Sequence, residues 1–536
     1  MSELPLTLSL VLRRAARIGG ARPVVTARPE GGERRTWAQV TERALRLCGA
    51  LRRLGVRPGE RVATFGWNHH QHLELLLGVP LLGAIVHPIN VRLHPDDVVH
   101  VSREAEDAVV FVDASLTPVL AELRSRLGHV RHWVVMGEEA EVAPAFAGAP
   151  RYEELLAAEA PLENLPEVDE RTPASLCYTS GTTGRPQGVE YSHRSLVLHA
   201  MGALMVDSMA VSERDVVLPL APFFHANGWG LPYSAAFAGA ALVLPGPRLD
   251  AGSVARLIER ERVTLAAAVP TVWNAFEPVL REGKHELSSL RRILCGGAPL
   301  PMRTIQRFAE HGISFLHAWG MTELGPSGTM ARAREEGFPE ERLAPLATQG
   351  AAVPGIELRV VDGAGRELPW DGTSVGELET RGLWGASRYF RGAAGEERFR
   401  DGWLRTGDVA TLDAHGALRI VDRTKDLVKS GGEWISSVEL ENHLMAHPGV
   451  KEVAVIAVAH EHWGERPVAV VVRQPESRVS FEELVEHLRP RVASWWLPDA
   501  AHFVAELPRT ATGKVDKKVL RREYAPRAPG PPIREG

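Results

Sequence analysis

Short runs of apolar residues alternate with helical stretches along most of this chain, and that alternation limits its fold more than any other feature. Residues 61–65, 108–112, 242–244, 264–268 and 290–294 read as short buried strands. Residues 74–84 read as an apolar helix and 254–261 as an amphipathic one. Strand-then-helix steps of this kind predict an α/β fold with stacked, doubly wound sheets. The texture changes from 350 to 420, where short alternating segments such as 357–361 and 376–380 are broken by Gly and Pro and predict β-rich structure. Beyond Asp422-Arg423-Thr424-Lys425 come a Gly-rich loop, a helix from Ser437, strands near 453–458 and 468–472, and a helix from Phe481. The expected division is a large N-terminal domain over 1–421, a hinge at 422–425 and a small mobile α+β domain over 426–524. A disordered tail is expected over 525–536.

With 536 residues the chain exceeds what one core supports. Its 62 basic and 67 acidic residues leave a net charge of −5, with none of the basic excess a nucleic-acid partner requires. Cys48, Cys177 and Cys295 are too scattered for a metal site or a disulfide framework and read as reduced thiols. The first twenty residues lack a secretory pattern and read as a short amphipathic helix, so a cytoplasmic protein is expected. Residues 218–247 carry no charge and are long enough to span a bilayer. Pro219, Pro222, Pro232 and Pro245 interrupt them, with His225 and Asn227 inside, so a buried helix between core strands is the better reading and no transmembrane span is expected.

Four segments carry the chemistry. Tyr178 to Gly188 holds the core Ser180-Gly181-Thr182-Thr183-Gly184. Its glycines let backbone amides approach an anion and its hydroxyls add donors, which suits a polyphosphate. No Gly-Lys-Ser/Thr closes it, so it is not the nucleotide loop of motors and kinases. His317-Ala318-Trp319-Gly320-Met321-Thr322-Glu323 sets a carboxylate beside an aromatic and a hydroxyl, a natural Mg²⁺ ligand near phosphates. Gly402 to Asp408 puts an acid after a Gly turn, where it can accept from ribose hydroxyls. Pro508 to Lys514 ends in a lysine held by a Gly turn. Alone, each has a plain alternative: a flexible loop, a solvated acid, a turn-capping Asp, a surface lysine.

Their set and order resemble the adenylate-forming superfamily of acyl-CoA synthetases, adenylation domains and luciferases. Within it the chain looks most like bacterial medium- or long-chain fatty acyl-CoA synthetases, on Pro222 to Trp229, Pro245 to Asp250, Val269 to Trp273 and Lys429 to Glu441. The resemblance implies an ATP-dependent acid–CoA ligase with ATP and CoA as cosubstrates and Mg²⁺ as cofactor. Thr179, Ser180, Gly181, Thr182, Thr183 and Gly184 would hold the β- and γ-phosphates. Gly296, Gly297, Ala298 and Pro299 would line the adenine, with Trp319 packed on it between His317 and Gly320. Thr322 would contact the α-phosphate and Glu323 would bind Mg²⁺. Asp408 would hold the ribose, assisted by Arg423. Lys425 would be the hinge, and Gly431, Gly432, Glu433 and Trp434 would border the CoA channel. Lys514 would bridge the acid and the α-phosphate. His225, Trp229 and Trp273 would wall the acyl pocket, and a homodimer is plausible.

Gln187 departs from the pattern, standing where these proteins usually carry Lys. Three alternatives stay open. A ligase for aryl or short thioether acids would share every ATP motif. A degenerate nucleotide-binding protein would fit the Gln187 change. A carrier-protein adenylation domain is expected to continue into a carrier segment.

Overall fold

A computed structural model of the chain describes residues 4–28, 31–137, 141–179, 185–298, 300–392, 396–430, 433–510 and 515–524. The chain packs as two compact units. The first runs up to Glu357 and adds Arg381–Trp403. The second takes Leu358–Thr380 and the chain from Leu404 onward. The β-rich stretch after 357 therefore largely packs with the C-terminal part of the sequence.

Two large sheets build the first unit. In one, the strands run in the order Ala351–Ala352, Ser327–Arg332, Ser314–Gly320, Arg292–Gly296, Leu265–Ala268, Val216–Pro219, Ala241–Leu244, Pro23–Arg28 and Gly31–Thr36. Its six strands from Ser314–Gly320 to Pro23–Arg28 are parallel, and its antiparallel strands lie at the edges. In the other the order is His132–Met136, Asp107–Asp113, Arg61–Phe65, Ile85–Pro88, Pro173–Tyr178 and Gly188–Ser192, parallel except for the last. Strands such as Asp107–Asp113 and Leu265–Ala268 are buried along their whole length, as parallel strands covered on both faces must be. The predicted α/β class with doubly wound sheets is what the chain adopts.

Asn68 joins the two sheets. It follows Arg61–Phe65, and its amide donates to the carbonyls of Pro219 and Ala221 at 3.0 and 2.9 Å while accepting from Phe223 N at 2.9 Å. The helix His70–Gly78 comes next, with every residue buried. It begins earlier than the apolar pattern predicts because His69 caps it. It tightens to a 3₁₀ turn at Val79–Leu82, where Pro80 has no N–H to continue an α-helix. The predicted strand at 290–294 lies instead at Arg292–Gly296, since Leu290 closes a turn on the Leu287 carbonyl at 2.9 Å. The uncharged stretch folds as Val216–Pro219, a left-handed turn at 226–230, the helix Leu231–Ala238 and Ala241–Leu244, largely buried, with the helix between strands as read. Among the described residues no helix is long and apolar enough to cross a membrane.

In the second unit, Gly376–Gly382, Trp403–Leu412 and Leu418–Arg423 form antiparallel pairs. A second sheet there is built on the long hairpin Val450–His460 and Gly464–Arg473, flanked by Val428–Ser430 and Ala500–Val504. Side chains alternate across it. Val453, Val455 and Val471 pack on Leu440, Leu444 and Leu484, and the opposite face, with Ile456 and Val470, packs on Leu507 and Leu520. The helices Ser437–Met445 and Phe481–Leu488 thus cover one face and Lys517–Tyr524 the other.

Candidate active site

The phosphate-type loop joins two antiparallel strands, Pro173–Tyr178 and Gly188–Ser192. Thr179 and Gln187 close its neck. Thr179 N donates to the Gln187 carbonyl at 2.9 Å, and Gln187 N to Thr179 Oγ1 at 3.0 Å. Ser180, Gly181, Thr182, Thr183 and Gly184 lie outside the described residues, as does Pro299. From the returning strand the buried Tyr191 hydroxyl donates to the Thr322 carbonyl at 2.6 Å, tying this hairpin to the next motif.

Gly297, Ala298 and the 317–320 segment stand at or just beyond the carboxyl ends of two neighbouring parallel strands, with Cys295 beside His317 and Gly296 beside Ala318. Open α/β sheets bind ligands outside such ends. His317 is buried, and burial holds its imidazole below the usual histidine range. Its Nδ1 lies 2.9 Å from the Leu346 carbonyl. A carbonyl only accepts, so Nδ1 carries the proton. Trp319 lies against Gly328, where a Cβ would come within 2.6 Å of the indole, so only glycine admits the ring.

Thr322 and Glu323 lie in the 3₁₀ turn Thr322–Leu324. Glu323 is buried and accepts at Oε1 from the Tyr389 hydroxyl at 2.5 Å and from Arg398 Nη1 at 3.1 Å. Its carbonyl accepts from Ala386 N at 2.8 Å. Burial and the adjacent carboxylate push the Tyr389 hydroxyl above the ordinary tyrosine range, so it remains a donor. Tyr191, Tyr389 and Arg398 are absent from the sequence reading. The last two lie 66 and 75 positions from Glu323, with no spacing signal to link them. The donor set suits Mg²⁺, which takes one or two carboxylates and completes its shell with phosphate oxygens and water. Both bonds to Glu323 fall on one oxygen. No group of three or more His, Cys, Asp or Glu gathers for a metal among the described residues, so the nucleotide would supply the other ligands.

The acyl-pocket candidates separate. His225 and Trp229 are half-buried, and Ala226, Asn227, Gly228, Trp229 and Gly230 form an unbroken run of positive φ, from 37° to 71°. L-residues resist this conformation by about 1–2 kcal/mol each. Two anchors hold the run. Asn227 accepts from the Tyr233 hydroxyl at 3.4 Å, and Gly230 lies so close to the His199 ring that a Cβ would overlap it. Strained backbone of this kind collects at functional sites. Trp273 is wholly buried and packs edge-to-face on Phe276 and Phe308 in the core of the large sheet, which accounts for it without any acid ligand.

The second unit carries the remaining candidates. Asp408 is buried after Gly407, which has φ +74°. Its backbone N donates to Thr406 Oγ1 at 3.0 Å, and Arg423 Nε lies 3.1 Å from its carboxylate across the strand pair. Lys425 is exposed in a turn closed by Asp426 N and Leu427 N on the Arg423 carbonyl at 2.8 and 2.9 Å. Gly431, Gly432 and Lys514 lie outside the described residues. Glu433 and Trp434 belong to the hairpin pairing Val428–Ser430 with Glu433–Ile435, and Trp434 is 46% exposed. Arg509 bridges to Val515, and Asp516 N donates to the Pro508 carbonyl at 2.8 Å.

Residues 12–390 match the AMP-binding enzyme family, and residues 439–514 match the AMP-binding enzyme C-terminal domain. The chain belongs to the AMP-binding enzyme family. It is 46% identical over 535 residues to a long-chain-fatty-acid–CoA ligase of Thermus thermophilus, covering 98% of this chain and 96% of that one. To a 3-methylmercaptopropionyl-CoA ligase of Ruegeria pomeroyi it is 43% identical over 530 residues, covering 98% of each. A crystal structure of an anthranilate CoA ligase in complex with anthranoyl-AMP superposes with a TM-score of 0.87 at 28% identity, over 98% of this chain and all of that one. These AMP-binding enzymes are matched along nearly their whole length, so the likeness spans both compact units.

Proposed function

We propose that this AMP-binding enzyme is an ATP-dependent acid–CoA ligase that takes fatty acids. The observation that carries the reading is the Glu323 turn. A buried carboxylate, oriented by Tyr389 and Arg398, hangs from the same turn as Thr322, whose carbonyl is held by Tyr191 of the phosphate-type hairpin. The likeness to a fatty-acid ligase over the whole chain supports the acid class.

A carboxylate is anionic and lacks a leaving group, so it must be activated. One of its oxygens attacks the α-phosphorus of ATP. The bond to the bridging oxygen breaks and pyrophosphate departs with the electron pair, leaving an acyl-adenylate. The CoA thiol, giving its proton to water, then attacks the acyl carbon, the acyl–oxygen bond breaks, and AMP leaves with its electron pair. Two anions meet in the first step, so positive charge is needed where charge develops. Mg²⁺, when bound with the nucleotide, supplies part of it, and Glu323 is the residue that would hold it. Lys514 supplies a second positive group. Thr322 contacts the α-phosphate, Asp408 and Arg423 hold the ribose, and Trp319 packs on the base. The segment after the 422–425 hinge turns between the two steps, bringing Gly431 to Trp434 to the CoA channel. His225 and Trp229 border the acid. Three buried free cysteines suit a reducing, cytoplasmic setting, and a homodimer completes the proposal.

The test is CoA-thioester formation followed by mass spectrometry, with ATP, Mg²⁺, CoA and straight-chain acids from short to long, plus benzoate, cinnamate and 3-methylthiopropionate. A maximum at medium or long chains supports the proposal. A maximum at the thioether or aryl acids transfers it to the second reading, which the Ruegeria relative favours. No thioester with any acid, while ATP still binds, overturns both and makes Gln187 the residue to exchange for Lys.

A further inference from the structure

Beneath the turn at 423–427 lies a cluster of buried charges that the proposed chemistry does not use. Lys517 opens the helix Lys517–Tyr524, yet its ammonium is enclosed. Nζ stands 2.6 Å from Glu441 Oε1 and donates to Ser437 Oγ at 2.6 Å. Asp422, 1% exposed, accepts from Ser437 N at 2.6 Å and from Arg423 N at 2.7 Å. One helical turn beyond Lys517, Arg521 pairs with Asp426. The two cations on one helix face thus meet acids on both sides of the exposed Lys425. Burial opposes the Lys517 charge, but Glu441, Asp422 and Asp426 outweigh it and hold the ammonium above the ordinary lysine range. Burial likewise raises Asp422 and Glu441, and Lys517 counters it in both.

Such a cluster is a poor way to gain stability. Apolar residues of similar size often serve as well or better, and buried ions are best attested as devices that fix one arrangement. Leu520 of the same helix already anchors it in an apolar core with Leu507. What the ions add is direction. Lys517 follows Lys514 by three residues, and the intervening Val515 and Asp516 are pinned to Arg509 and Pro508.

We propose that Lys517 is a positioning residue for the adenylation step. Its bonds to Glu441 and Ser437, with Asp422 alongside, fix the base of the segment that carries Lys514 against the strand entering the hinge. This rests on the ligase reading above. Loss of the tie misplaces Lys514 without removing it, so adenylation suffers while the CoA step, which does not use Lys514, is spared.

The experiment uses the full chain with the double substitution E441L/K517M, which removes both charges together. Acid-dependent ATP–pyrophosphate exchange is expected to fall by about ten- to a hundredfold. Thioester formation from supplied acyl-adenylate and CoA should stay within about threefold in the folded variant. Equal loss of both halves, or unchanged exchange in a folded variant, overturns the proposal. Should the double variant not fold, the isosteric Glu441→Gln carries the same test, with a smaller selective loss expected and an equal loss of both halves overturning it. Amide hydrogen exchange over residues 506–516 is read in parallel. If the wild type turns over no acid, the ligase reading falls by itself. Faster amide exchange in the variant then supports the tie, and unchanged exchange overturns it.

Discussion

The two compact units treat buried ionisable groups near their candidate residues in different ways. The first, beside its pair of buried Glu323 with Arg398, holds three buried imidazoles neutral. His199, bonded to Ser327 at 2.8 Å and packed on Gly230, is pushed down by burial to about 4. His72, between Thr64 and the Trp67 carbonyl, is pushed down to about 3, and His193 to about 4, again by burial. The second unit instead buries a lysine that stays charged, Lys517 among Asp422, Asp426 and Glu441. Neutral groups buried on packed helices need no counterion and hold one shape whatever binds. Paired ions beside a turn hold one arrangement but depend on keeping every partner.

The widest break in this contrast would come from Trp273. Trp273→Ala should remove about 3–5 kcal/mol of stability, the usual cost of emptying such a site, and leave the acid profile unchanged. Trp229→Ala, at a half-buried position, should do the reverse. Denaturant melts and thioester assays across chain lengths separate the two, and a shifted acid profile in Trp273→Ala would return that residue to the pocket wall. Next in size, Lys514→Ala should lower adenylation by about a hundred- to a thousandfold, the range for losing one well-placed charge-stabilising donor. Thioester formation from supplied acyl-adenylate should persist. Equal loss in both halves would end the proposed assignment of Lys514 to the first step alone.

Acid tests the imidazoles directly. A histidine whose folded pKa lies below its unfolded value binds fewer protons in the folded state, so stability falls as pH drops from about 6.5 toward the folded value. His72, His193 and His199 should each add a slope of about 1.4 kcal/mol per pH unit in that window. Calorimetry between pH 7 and 5, with amide exchange to locate the loss, should find it in the first unit. Loss starting in the second would invert the comparison. The smallest effect is expected from Gln187→Lys, which adds a positive group beside the loop neck. Pyrophosphate release should rise a few-fold with little change in melting temperature, as for a half-exposed charge.

What was legible in the chain follows physical range. Local rules carried the elements. The apolar runs at 61–65 and 242–244 are strands, and the uncharged 218–247 stretch folds as strand, turn, helix and strand with its prolines near the element ends. Pro80 and the Leu287–Leu290 turn moved boundaries by a few residues through single missing or diverted hydrogen bonds. The left-handed run was only half visible, since Gly228 and Gly230 permit it but Ala226 and Trp229 do not announce it. Least legible were the residues around Glu323. Tyr389 and Arg398 reach it, and Tyr191 reaches the Thr322 carbonyl beside it, by folding alone, and an arginine followed by Phe399 reads like any partly exposed cation. The Lys517 cluster was hidden for the same reason, because Glu441 and Asp422 lie 76 and 95 positions away.

The strand order of the large sheet also bears on how the protein is made. Pro23–Arg28 pairs with Ala241–Leu244, more than two hundred residues later in the chain. During synthesis at roughly 5–20 residues per second, the first strand waits about ten to forty seconds for its inner neighbour to leave the ribosome. Among the described residues its only earlier partner is the edge strand Gly31–Thr36. A nascent chain halted before residue 241 would therefore expose Val24 and Val25 on an open sheet edge, a ready target for chaperones and for mispairing.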